Sequence, residues 1–168
     1  MTASPHFVLP LELGICVADL ERMAAFYVRV LGCAEVARAQ LPGDRTSVIG
    51  LSSTDVTIAW LQTSTGERIK LLQPDLAPAG RTTAVPLTSA TGIAYLTFYV
   101  DDLAARAEAA LDAGATPLTD AVVHASGTGA IAFFRDPEGN VIELVERADL
   151  RAYRADAWQQ RGPLGPTP

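Results

Sequence analysis

Residues 11–32 read LELGICVADLERMAAFYVRVLG. In the first seven, Leu11, Leu13, Ile15 and Val17 alternate with Glu12, Gly14 and Cys16. That is the period of a strand with one face on a core, so Glu12 points away from the core. Asp19 is placed to cap a helix whose Met23, Phe26, Tyr27 and Val30 recur at helical spacing, and Gly32 is placed to stop it. Working outward, strand-like runs follow at 47–51, 56–62 and 68–73, separated by turn signals at 42–44, 52–55 and 64–66. The first half therefore reads βαβββ.

The pattern then starts again. Residues 93–100 alternate like the first strand, Asp101 or Asp102 can cap a helix carrying Leu103, Ala107, Ala110 and Leu111 on one face, and Gly114 follows it. Strand-like runs resume at 116–124, 129–135 and 141–146. Val17-Ala18-Asp19-Leu20 superposes on Val100-Asp101-Asp102-Leu103, which carries Glu12 onto Tyr95, and residues 68–73 superpose on 141–146, which carries Lys70 onto Glu143. The predicted organisation is a leader (1–10), a first βαβββ module (11–75), a Pro/Ala/Gly/Thr-rich connector (76–92), a second βαβββ module (93–147), and a C-terminal helix with a frayed tail (148–168). The fold class is α+β.

Composition bounds the function. The chain has 168 residues, 49% hydrophobic and 19% charged, and a mean hydropathy of +0.20, enough apolar material for one folded core. With 13 basic against 19 acidic residues the net charge is -6, which argues against a nucleic-acid partner and fits a cationic or neutral small molecule better. No apolar run reaches the roughly 20 residues a bilayer span needs, and the first residues lack a basic, then apolar, leader. A cytoplasmic protein without membrane contact is expected. Cys16 and Cys33 form no CxxC pair and are expected to be buried or half-buried thiols; His6 and His124 are the only imidazoles. Gly127, Gly129 and Gly139 follow no strand-to-helix junction, so a nucleotide cofactor has no visible home, and residues 136–140 read as a hairpin loop.

Two βαβββ modules in this order, with VADLERMAAFYVRVLG (17–32) in the first and DPEGNVIELVER (136–147) closing the second, resemble the vicinal oxygen chelate superfamily of glyoxalases, bleomycin-resistance proteins and extradiol dioxygenases. The resemblance covers about residues 10–147. It implies sheets curled into half-cups, a homodimer whose cups are completed within or across chains, and a divalent metal on the first and last strand of each module. Carried over, those four positions are Glu12, Lys70, Tyr95 and Glu143. An ammonium has no lone pair, and a neutral phenol is a poor ligand for magnesium, nickel or zinc. Neither a metal nor another cofactor is therefore expected.

Without the resemblance, the same four residues interrupt apolar alternations at equivalent places of a repeat, on the face away from the core. In a shared cavity Lys70 is expected to stabilise an oxyanion on a carbonyl substrate. Glu143 or Glu12 would then serve as general base and Tyr95 as proton donor. Such a set suits an isomerase, cyclase or lyase working without metal. Alternatively Lys70 only bridges Glu12 and Glu143 as a structural network, or the cup sequesters an antibiotic or metabolite without turning it over. For ligand contact, Trp60, Thr97, Tyr99 and Cys16 share or flank the face of the four; Phe98 is assigned to the helix side.

Overall fold

The apolar stripe of the first helix decides how the chain folds, because Leu20, Met23, Ala24, Phe26, Tyr27 and Val30 are all buried along one side of it. The computed structural model describes residues 9–80, 86–118, 123–125 and 129–153. The first module runs β1 (Glu12–Cys16), α1 (Leu20–Leu31), β2 (Ala34–Leu41), α2 (Gly43–Val48), β3 (Val56–Gln62) and β4 (Arg68–Pro74). Its sheet has the order β1-β4-β3-β2, with β1 parallel to β4 and the other pairs antiparallel.

The second module runs β5 (Leu96–Tyr99), α3 (Leu103–Asp112), β6 (Thr116–Pro117), β7 (Val123–Ala125), β8 (Gly129–Arg135) and β9 (Val141–Arg147), and α4 (Leu150–Tyr153) follows. The order β5-β9-β8-β6 repeats the first sheet, and β6 and β7 both pair with β8 where β2 pairs with β3. Register confirms the repeat: Gly14 lies opposite Lys70 and Thr97 opposite Glu143. Two βαβββ modules, each with a mixed sheet, are present.

Local chemistry accounts for the helix ends. Asp19 accepts the Arg22 N–H at 3.0 Å, and Asp102 accepts that of Ala105 at 2.9 Å. Gly32 closes α1 at φ 65°, a left-handed conformation that costs a side-chain-bearing residue about 1 kcal/mol. Each last strand also reaches back to the first helical N–H of its module. Gln73 Oε1 takes that of Leu20 at 2.7 Å, and Glu146 Oε2 that of Leu103 at 2.8 Å.

One apolar interior spans both modules, with Ile15, Val17, Leu61 and Leu71 from the first and Leu103, Ala110, Ala132, Ile142 and Leu144 from the second. Burying an apolar side chain of Leu or Phe size stabilises by about 1.5–3 kcal/mol, so α1, with its larger side chains, contributes more than the alanine-rich α3. The β8–β9 turn crosses between modules. Glu138 accepts the N–H groups of Ala18 and Asp19, both at 2.8 Å, and buried Asp136 accepts the Tyr27 hydroxyl at 2.8 Å. Asp136 also takes the backbone N–H of Glu138 and both the backbone and side-chain N–H of Asn140. Burial first, and the Asp136 carboxylate second, push the Tyr27 phenol well above its ordinary pKa.

Several expectations need correction. The strand read at 47–51 does not form; the second strand is Ala34–Leu41, and the 42–44 turn signal opens α2 instead. Val48 and Ile49 supplied the apolar signal, yet they are 87% and 70% exposed. The strand read at 93–100 is confined to Leu96–Tyr99, which leaves Tyr95 just before it. The single strand read at 116–124 is divided into β6 and β7, with 119–122 outside the described residues. Cys33 is buried as expected, but Cys16 is exposed, because the sheet face it occupies lies opposite the helices. His6 and the tail beyond Tyr153, including Trp158, lie outside the described residues.

Candidate functional site

On the face of the first sheet away from α1, strand parity places Glu12, Lys70 and Arg68 together. Glu12 is in register with Arg68 across the parallel β1–β4 pair, and Lys70 lies between Gly14 and Trp60. The Glu12 carboxylate takes Lys70 Nζ on one oxygen at 3.1 Å and Arg68 Nη1 on the other at 3.4 Å. Arg68 is held further by Nε donating to Gln62 Oε1 at 2.8 Å. One carboxylate thus serves two cations. Lower on the same face, Val56 and Ile58 are buried. Residues 42–55 help shield this end: Leu51 and Val56 line a common small pocket, and Thr46 Oγ1 ties the segment together by donating to Thr54 O at 2.8 Å.

The second sheet carries different chemistry at equivalent positions. Thr97 Oγ1 donates to Glu143 Oε2 at 2.6 Å, short enough to hold that carboxylate in one orientation. Phe133 is the cross-strand neighbour of Glu143, and the Tyr95 ring meets the Phe133 ring edge-on at 5.1 Å. Tyr95 and Tyr99 are 42% and 40% exposed. Tyr99 lies 6.0 Å from Tyr153 of α4, and its phenol is raised first by the hydrogen bond to Tyr153, then by burial. The Arg147 guanidinium stacks 4.1 Å over the Tyr153 ring and pairs with Asp149.

Between β1 and β5 runs an open groove of about 610 Å³, lined among others by Gly14, Cys16, Arg22, Tyr95 and Glu138. Of the eight residues nominated from the sequence, Cys16 and Tyr95 line it, whereas Glu12, Trp60, Lys70, Thr97, Tyr99 and Glu143 do not. Glu12 and Lys70 are brought together, as are Thr97 and Glu143. No hydrogen bond or ion pair joins the two clusters among the described residues. Partial burial, then the Glu138 charge, raise the Cys16 thiol and make it a poor nucleophile at neutral pH. Sequence reasoning missed Arg68, Asp136 and Glu138. Arg68 was legible by parity, two residues before Lys70 on one strand, whereas the bridging role of the 136–140 turn depends on contacts more than 100 residues apart.

The divalent metal implied by the resemblance does not fit the residues at these positions. Lys70 is a cation already paired with Glu12, Glu143 is engaged by a hydroxyl, and among the described residues no group of three or more His, Cys, Asp or Glu could hold a metal ion. Among the described residues no helix is long and apolar enough to cross a membrane.

Comparison with known proteins agrees with this architecture. No curated protein matches the chain. Among solved structures, a glyoxalase family protein from Bacillus cereus superposes with a TM-score of 0.74 at 25% identity, covering 88% of this chain and 99% of that one. The trypanothione-dependent glyoxalase I of Leishmania major gives 0.61 at 21% identity, covering 89% of this chain and 95% of that one. Glyoxalase I of Zea mays gives 0.64 at 22% identity over 84% of this chain and 45% of its own, so the present chain spans about half the maize protein. The family model that describes the glyoxalase/bleomycin resistance protein/dioxygenase superfamily matches residues 5–144, and to that superfamily the chain belongs.

Proposed function

We propose that the protein is a metal-independent enzyme of the isomerase, cyclase or lyase type, moving a proton beside the carbonyl of a small oxygenated molecule. The observation that carries this reading is the Lys70–Glu12 pair at 3.1 Å, which puts an ammonium at the place where the resemblance implies a metal ligand. As a carbonyl compound loses its α-proton, negative charge develops on oxygen, and a positioned ammonium stabilises it. Loss of one such donor typically lowers turnover about 10²- to 10³-fold. Glu143 is the base in this scheme: Thr97 holds Oε2, and Oε1 accepts no hydrogen bond among the described residues. Tyr95, exposed at the groove, returns a proton. The substrate bridges the two clusters.

The test is hydrogen–deuterium exchange at the α-carbon of small ketones and oxo acids in D₂O, followed by proton NMR. Lys70→Met and Glu143→Gln should each slow exchange at least about 10²-fold without changing the thermal midpoint. Equal rates in wild type and both variants would overturn the assignment. The exposed rings of Tyr95 and Tyr99, with the half-buried Trp60 beside Lys70, favour a second reading, sequestration of a small molecule without turnover. On that reading Trp60→Ala weakens binding more than Lys70→Met does, and no substrate exchanges its α-proton.

A further inference from the structure

The Glu12 cluster holds more positive charge than it neutralises. Two cations, Arg68 and Lys70, share one carboxylate, at 3.4 and 3.1 Å, both longer than the roughly 2.7–2.9 Å of a tight charge-assisted bond. Their donors are largely unspent. Arg68 uses Nε on Gln62 and Nη1 on Glu12, which leaves Nη2 without a hydrogen bond among the described residues; Lys70 uses its ammonium on Glu12 alone. All three side chains are partly exposed, so a ligand can reach them. Gln62 fixes the plane of the guanidinium, and a fixed fork suits a planar oxyanion better than a mobile ammonium does. Two residues apart on one face of β4, the two stems stand about 6.6 Å apart. Their heads converge on the two oxygens of the one Glu12 carboxylate, so closely spaced ligand oxygens, a carboxylate for one cation and an adjacent carbonyl oxygen for the other, suit the pair.

We propose that Arg68 and Lys70 together bind a small oxo acid, Arg68 taking its carboxylate and Lys70 the adjacent carbonyl oxygen. The inference rests on the proton-transfer reading above and narrows its substrate class, making Arg68 a specificity-determining residue. It also reconciles a local anion site with a chain of net charge -6: a single carboxylate needs two cations, not a basic surface.

The probes are 2-oxobutanoate, its methyl ester and inorganic phosphate, titrated calorimetrically into the full chain at low ionic strength, with α-proton exchange recorded on the same samples. The acid should bind at least tenfold more tightly than the ester. Arg68→Gln should abolish that preference while leaving the ester's affinity and the thermal midpoint unchanged, and Arg68→Lys should restore part of it. Equal binding of acid and ester, a preference that survives Arg68→Gln, failure of the acid to bind, or tighter binding of phosphate than of the acid would each overturn the proposal. Binding of the acid through Arg68 without α-proton exchange upholds this inference and sinks the proton-transfer reading. Exchange that proceeds equally on acid and ester does the reverse.

Discussion

The two modules share a backbone plan down to the register of Gly14 with Lys70 and Thr97 with Glu143, yet they divide the work of side chains unevenly. Where α1 presents Tyr27, α3 presents Ala110; where α1 presents Val30, the C-cap of α3 is Ala113. Large side chains on one helix and small ones on the other let the two pack closely around a single interior, which two equally bulky helices would overfill. The faces away from the helices diverge as well: cations around one carboxylate in the first module, a hydroxyl-held carboxylate among aromatics in the second. A repeated strand and helix frame therefore supplies positions, and the two copies fill them with complementary chemistry.

The comparison breaks most severely where the modules are clasped. Asp136→Ala leaves the buried Tyr27 hydroxyl and the half-buried backbone N–H groups of Glu138 and Asn140 without their acceptor. Each unsatisfied group costs about 1–3 kcal/mol, so a net loss of about 3–4 kcal/mol is expected in urea denaturation. A loss below about 1 kcal/mol would mean that the Asp136 hydrogen bonds contribute little to joining the modules, leaving the work to apolar contact and to Glu138. The division between large and small is tested next by Ala110→Leu, which overpacks the interior and should cost about 2 kcal/mol. Ala104→Leu, on the exposed side of the same helix, should stay within about 0.5 kcal/mol. Equal effects at both positions would show that α3 has room to spare.

The same asymmetry explains what the sequence disclosed. β1, β4, β8 and both long helices were legible because each has a more buried and a more solvated face, so hydrophobic periodicity records it. β3 and β9, with buried residues on both faces, were legible as short apolar runs. β2 was not. It pairs with β3 alone, is exposed from Ala34 to Gln40, and is specified by backbone register and by Arg38 pairing with Glu21 and Glu35 rather than by any apolar pattern. Val48 and Ile49 misled for the converse reason, as apolar residues in solvent. At the candidate site, parity was enough to bring Glu12 to Lys70 and Thr97 to Glu143. It put Arg68 on that same face too, but could not show that one carboxylate serves both cations, since that depends on side-chain reach.

Alkaline pH separates the modules without mutation, because Tyr27 and Cys33, at the large-residue side of the interior, both keep their protons in the folded state. Burial pushes the Cys33 thiol up to about 11 and the Tyr27 phenol well above its usual range. For groups with raised folded pKa values, the stabilisation is complete below the unfolded pKa. It is lost as pH rises toward the folded one, because the unfolded chain releases the proton first. The free energy of unfolding should therefore fall between about pH 9 and 11, by at most about 1.4 kcal/mol per pH unit for each group. Cys33→Ala should flatten the first part of that decline, measured by denaturation midpoints at successive pH values; an unchanged slope would show that the thiol titrates as freely as in the unfolded chain.

The smallest effect tests the repeat most directly. Gln73 and Glu146 occupy equivalent positions and make the same bond, to the first N–H of their module's helix. That N–H has no partner within the helix, and the helix dipole concentrates partial positive charge there. Gln73→Ala should cost about 1 kcal/mol, the usual value of a helix-terminal hydrogen bond. Glu146→Ala should cost somewhat more, since an ionised acceptor at a helix N-terminus gains about 0.3–1 kcal/mol from the dipole. Glu146→Gln then isolates charge from geometry: if the two modules use one device, this variant falls to the level set by Gln73 and no further. Chemical denaturation of the three variants measures the ranking. A loss at Gln73 alone would mean that solvent replaces the carboxylate above α3, and that the smaller, alanine-faced helix stands on its packing rather than on its cap.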